Sequence, residues 1–135
     1  VNGGAASAPL WLLQIDTEVA SGATAGLDAS AGAGAVTHKV GLAEARRALT
    51  LHRYDVIVLD PGAAGEAASM VLLDTLPAKN QATPVLLYCD DLPSEACRDR
   101  ANLLLLKEST AAHALWAMIR ALAGSAPMTA PWRTA

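Results

Sequence analysis

The sequence predicts a doubly wound α/β domain: five parallel strands with helices on both faces. Three observations carry this. Short apolar runs alternate along the chain with stretches of helical periodicity, which means βαβ units joined by right-handed crossovers. The runs are too short for helices and rich in Val, Ile and Leu, so they read as strands buried on both faces. One of them, Asp55-Val56-Ile57-Val58-Leu59-Asp60, runs into Pro61-Gly62, a breaker pair that forces a turn and leaves Asp60 at the strand's C-terminal end. In an open parallel sheet that end is where ligands bind and chemistry occurs.

Composition narrows the class. A chain of 135 residues makes one domain with a full core. Hydrophobic residues make up 53 % but aromatics only 4 %, and Phe is absent, so Ala, Val and Leu must fill the core. The net charge of −3 comes without a basic block, which argues against direct nucleic-acid binding. No apolar run reaches the roughly 18 residues of a membrane span, and no signal peptide is recognisable. The first residue is Val1 rather than Met, so a trimmed fragment is one expectation. Cys89 and Cys97 match neither a redox CxxC nor a zinc pattern, and two reduced thiols in a cytoplasmic protein is the expectation.

The elements follow in order. Val1 to Pro9 is small and polar and reads as a disordered extension. Leu10 to Ile15 is the first strand, ending at Asp16. Thr17 to about Ala29 can be a helix weakened by Gly22 and Gly26, with a small-residue turn to Gly34. Ala35 to Val40 alternates as a half-exposed edge strand does. Leu42 to Leu51 is a helix with Leu42, Ala45 and Leu49 on one face. After the Asp60 strand, Gly65 to Leu76 is a helix with Ala68, Leu72 and Leu76 in register, and Pro77 to Thr83 a polar loop. Pro84 to Tyr88 is the fourth strand, ending at Cys89-Asp90-Asp91, a solvated turn. Pro93 to Ala101 is a short helix with Ser94 as its cap. Leu103 to Leu106 is the fifth strand, ending at Lys107; Ser109 to Ala123 is the last helix, closed by Gly124. The domain thus spans 10–124, and 125–135, with Pro127 and Pro131, reads as a tail or linker.

The residues that close the strands form a constellation. Asp16 and Thr17, Asp60, Cys89 and Asp90, and Lys107 all fall on one rim of such a sheet. Asp16 and Asp60, a small polar group and a cation together suit a phosphoryl group carried on a carboxylate. The acids would hold a divalent cation, which prefers hard oxygen ligands. The lysine would balance phosphoryl charge as it develops. The histidines, His38, His52 and His113, are scattered and read as surface or partly satisfied positions. No GxGxxG or GxxxxGK[ST] follows a strand, so a dinucleotide or P-loop site is unsupported.

Over residues 10 to 124 the chain resembles the receiver domains of two-component response regulators. Leu12-Leu13-Gln14-Ile15-Asp16-Thr17 is similar to their first strand, which ends in an acid pair. Asp55 to Asp60 is similar to the phosphoacceptor strand, with Asp60 as the acceptor. Pro84 to Cys89 and Leu103 to Lys107 are similar to the fourth and fifth strands, and Lys107 lands on the family lysine. The resemblance implies a flavodoxin-like fold with strand order 2-1-3-4-5, and a signalling module rather than an enzyme. It also implies magnesium as cofactor, held by Asp16 and Asp60, and a histidine kinase or output domain as partner.

The departures are informative. Thr17 replaces the second acid, so magnesium should bind weakly. Cys89 replaces a Ser or Thr and is a poor hydrogen-bond partner for a phosphoryl oxygen. Leu104 replaces the switch aromatic, and Glu108 the proline after the lysine. The span from Cys89 to Lys107 is about one helical turn short, so its helix should be stunted. The expectation is an atypical receiver that keeps the fold with impaired phosphoryl chemistry. One alternative is a phosphorylation-independent pseudo-receiver that docks or dimerises. A weaker one is a small flavodoxin-like enzyme or nucleotide binder, for which no phosphate cradle is visible. On the last helix Ala112, Leu115, Ile119 and Leu122 supply the core stripe. Trp116 and Met118 then read as an apolar surplus available, with Leu104, for partner or homodimer contacts.

Overall fold

The computed structural model describes residues 10–15 and 35–125. The expected elements at 1–9, 17–34 and 126–135, and the candidate residues Asp16 and Thr17, lie outside that range. The five strands are β1 (Leu10–Ile15), β2 (Ala35–Val40), β3 (Val56–Leu59), β4 (Val85–Cys89) and β5 (Leu103–Leu106). All pair in parallel, in the order β2-β1-β3-β4-β5. The described helices are α1 (Leu42–Leu51), α2 (Pro61–Ala64), α3 (Glu66–Asp74), α4 (Glu95–Arg98) and α5 (Ala112–Ser125), with 3₁₀ turns at Ala78–Asn80 and Lys107–Ser109. The fold class and strand order are those the sequence predicts.

The sheet separates two apolar layers because successive side chains along a strand point to opposite faces. Leu13, Ile15, Ile57, Leu59, Val85 and Leu87 face α1 and α3, where Ala45, Leu49 and Leu72 meet them. Leu12, Val56, Val58 and Leu86 face α5, where Leu115, Trp116 and Ile119 cover them. Every residue of β3 is buried, as expected of a central strand. Each fully buried Leu, Ile or Val stabilises the fold by about 1.5–3 kcal/mol before entropy is counted.

Four local expectations need correction. Trp116, read as surface, is 2 % exposed and lies in the layer under α5. The buried stripe of α5 runs through Leu115, Trp116 and Ile119, the i, i+1, i+4 face of a wide contact. The α5 helix also continues past Gly124 to Ser125, so that glycine ends nothing. On α3 the buried positions are Ser69 and Leu72, and Ala68 faces outward. Finally, the strand ends at Leu59 and the chain turns at Pro61-Gly62 as expected, but into a helix rather than a loop: proline at the first helical position suits a helix start, and Pro61–Ala64 forms one helical turn. The break comes at Gly65, whose φ of 100° favours glycine.

Other expectations hold closely. The Leu42–Leu51 and Leu103–Leu106 spans are those observed. The helix before β5 is a single turn, and the Ser94 hydroxyl caps it by accepting the Cys97 N–H at 3.2 Å. No helix among the described residues is long and apolar enough to cross a membrane.

Candidate functional site

Strand register builds the site. Leu59 pairs with Ile15 on one side and Leu87 on the other, and Cys89 pairs with Leu106. The residue after Leu59, the end of β4 and the residue after Leu106 therefore meet at the C-terminal rim. There the Lys107 ammonium donates to Asp60 Oδ2 at 2.7 Å, although 47 residues separate them. The pair is largely shielded, with side-chain exposures of 17 % and 7 %. The expected meeting of Asp60 and Lys107 is thus observed.

Asp60 has a second task. Its Oδ1 accepts the Gly62 N–H at 3.1 Å, and its backbone carbonyl accepts the Ala64 N–H at 2.9 Å. This is the bonding of a helix N-cap, with the side chain reaching the second helical residue. A carboxylate is favoured there because it faces the positive end of the turn. One oxygen thus serves the backbone of α2 and the other the lysine.

The surroundings refine the reading of the other candidates. Cys89 is 1 % exposed, and its thiol is pushed up to about 12, chiefly by burial and then by the Asp60 carboxylate. It is a buried apolar filler with a weak S–H, not a nucleophile. Burial also raises the Cys97 thiol, and both cysteines are free. Asp90, read as part of a solvated turn, places Oδ2 3.8 Å from Lys107 while its side chain stays 76 % exposed. Leu104 is half-buried against the α1–α3 layer. Met118 is 42 % exposed on α5. His52 and His113 are exposed, and His38 pairs its Nδ1 with the buried Tyr54 hydroxyl at 2.7 Å.

Sequence reasoning missed two partners. The Lys107 ammonium lies 5.7 Å from the centre of the Tyr88 ring, within cation–π range. Tyr88 was visible only as the last residue of a predicted strand. Glu66 was also missed; its carboxylate accepts the Ser94 N–H at 3.2–3.3 Å and ties α3 to the start of α4. Among the described residues no group of three His, Cys, Asp or Glu side chains gathers to hold a metal ion. Among the described residues, the rim offers one shielded carboxylate neutralised by one ammonium.

A scan against protein-family models finds no match for the sequence, and a search of curated proteins finds none. Solved structures do match in fold. The chain is similar to the signal receiver domain of a signal transduction histidine kinase from Syntrophus aciditrophicus. The identity is 22 %, over 90 % of this chain and 95 % of that one, and the TM-score is 0.62. It is also similar to the chemotaxis response regulator CheY4 of Vibrio cholerae, at 15 % identity over 84 % and 98 % of the two chains, with a TM-score of 0.68. The receiver domain of a sensor histidine kinase from Pseudomonas aeruginosa PAO1, which carries magnesium in its active-site cleft, matches at 18 % identity. It covers 87 % and 100 % of the two chains with a TM-score of 0.68. The fold of this chain is the receiver fold.

Proposed function

We propose that the chain is a cytoplasmic receiver module of a two-component pathway, with Asp60 as phosphoacceptor and Lys107 as its cationic partner. The observation that carries this reading is the 2.7 Å Asp60–Lys107 pair at the C-terminal rim of a 2-1-3-4-5 sheet. A carboxylate oxygen of Asp60 attacks the donor phosphorus, the bond from phosphorus to the donor's leaving atom breaks (P–N in a phosphohistidine, P–O in acetyl phosphate), and the leaving group departs with the electron pair. Lys107 then balances the charge gathered on the phosphoryl oxygens. The module is not an enzyme in its own right; it passes a signal by contacting a histidine kinase or an output domain.

Magnesium is the cofactor this chemistry calls for, and the residues fit it poorly. Asp60 already accepts from Gly62 and Lys107. Asp16 would be the remaining acid, and Thr17 supplies a neutral oxygen. The Cys89 thiol is a soft group in the place of a hydroxyl. These features support an acceptor with slow phosphoryl chemistry.

The buried Cys89 thiol also favours a second reading, a pseudo-receiver that docks or dimerises whatever the state of Asp60. Intact-mass analysis after incubation with acetyl phosphate and magnesium decides between the two. The first reading expects one added phosphoryl group on the native chain and none on Asp60→Asn. An unchanged mass at saturating donor leaves the docking reading.

A further inference from the structure

We propose that the state of Asp60 is relayed to helix α4 through the α2 turn and the Glu66 carboxylate, an inference that rests on the receiver reading above. Each link is a hydrogen bond in the structure. Asp60 Oδ1 accepts the Gly62 N–H and holds the first turn of α2. One residue beyond that turn, Gly65 at φ 100° redirects the chain into α3. The next residue, Glu66, holds the Ser94 N–H with both carboxylate oxygens at 3.2–3.3 Å. Ser94 is the N-cap of α4.

Besides the buried Cys97 and the Ser94 hydroxyl cap, helix α4 is held by this arrangement. It is a four-residue turn, far below the length at which a helix holds itself. Glu66, Met70 and Asp74 fall on one α3 ridge, at i, i+4 and i+8. Glu66 holds the start of α4. Asp74 receives Arg100, just beyond its end, through two hydrogen bonds of 2.8 and 3.0 Å. Met70 packs between them against the core. A movement at the head of α3 therefore loosens α4 at its capped end, while Arg100 keeps the far end tethered.

Phosphorylation supplies that movement. When an Asp60 oxygen bonds to phosphorus, the carboxylate charge passes to the phosphoryl oxygens. Lys107 holds Oδ2, so Oδ1 is the attacking oxygen; as the bridging C–O–P oxygen it is a poor acceptor and no longer serves the Gly62 N–H. The cap of a one-turn helix weakens. The released α2 turn shifts Glu66, and Ser94 loses its acceptor.

The two cysteines make the relay measurable. Cys97 is fully buried within α4, whereas Cys89 lies in β4 and reports opening of the central core. Alkylation of each thiol, followed by peptide mapping, tracks the population of the open state. In the full chain at rest both thiols should react slowly. With acetyl phosphate and magnesium, Cys97 should react about tenfold faster, the shift expected from losing a cap, and Cys89 should not. Asp60→Asn should keep Cys97 slow under both conditions, because Asn caps as well as Asp. Asp60→Ala and Glu66→Ala should open Cys97 without any donor.

The outcomes separate the relay from the receiver reading. Phosphoryl uptake by mass with Cys97 still protected overturns the relay and leaves the reading. No uptake, but open Cys97 in both alanine variants, supports the relay and removes the reading. Cys97 protected in both alanine variants overturns the relay whatever the mass shows. Where Asp60→Ala exposes both thiols together, Glu66→Ala, which leaves the ion pair intact, decides alone.

Discussion

The Asn80 side-chain amide donates to the Leu49 carbonyl at 2.6 Å, and so completes the C-terminal turn of α1 from a loop 31 residues away. The same amide reaches the His52 carbonyl at 2.8 Å, while its oxygen accepts the Tyr54 N–H at 2.8 Å. Asn80 is fully buried. It therefore joins the end of α1, the entry to β3 and the 3₁₀ turn at Ala78–Asn80. Asn80→Ala strands these backbone groups away from water and should cost about 3 kcal/mol. Urea unfolding should show a lower midpoint with an unchanged slope.

Removing Lys107 leaves the Asp60 carboxylate shielded without its cation. Lys107→Met should destabilise the chain by about 3 kcal/mol at neutral pH. Lys107→Met combined with Asp60→Asn should recover much of that loss. The double-mutant cycle, read by chemical unfolding, gives the coupling directly.

The Cys89 thiol predicts a loss of stability at alkaline pH. Its folded value, about 12, lies above that of an ordinary thiol, so the unfolded chain gives up the proton first as pH rises. The unfolded state then binds fewer protons than the folded one, and stability falls by about 1.4 kcal/mol per pH unit across that window. The contribution is fully present below about pH 8.5, the ordinary thiol value. The raised thiol of Cys97 and phenol of Tyr54 act in the same direction. Cys89→Ala should flatten its own share of the alkaline decline, measured as unfolding free energy against pH.

The corrected α5 helix separates packing from contact. Trp116→Ala opens a cavity under the helix and should cost about 3–5 kcal/mol. Met118→Glu lies on the outer face and should change stability by no more than about 0.5 kcal/mol. If α5 mediates association, Met118→Glu shifts sedimentation towards monomer with the fold intact. The same shift in Asp60→Asn alone would instead point to a phosphorylation switch.

Thr17→Asp restores a second acid to the first-strand motif. Magnesium affinity, followed by calorimetry, should rise in the variant from a weak starting value. Tight binding by the native chain, or no gain in the variant, would refute this account of the metal.

Much of the frame was legible because single strands announce themselves. Val56 to Leu59 is apolar throughout and mostly β-branched, and no other buried element fits four such residues between polar ends. The meeting of Asp60 with Lys107 followed from strand order alone. What stayed hidden depends on partners distant in sequence. Nothing local marks Asn80 as buried, since a polar loop with Pro77, Lys79 and Asn80 resembles any surface turn. Trp116 was misplaced because helical periodicity gives the centre of a buried stripe but not its width, which the sheet beneath decides. Pro61-Gly62 was read as a breaker, although proline starts helices as readily as it ends strands. Glu66 and Ser94 carry no pattern that links them until α3 and α4 are side by side.

The double duty of Asp60 bears on how position 60 can change over time. Asparagine would serve the turn but not the lysine, and glutamate would serve the lysine from a longer stem that no longer fits the cap. Only aspartate meets both demands. A lineage that abandoned phosphoryl transfer would still be held to this residue by the backbone it supports. The acid at position 60 is thus entrenched by folding, and its loss would require a change at Lys107 together with a residue that still caps the Pro61–Ala64 turn.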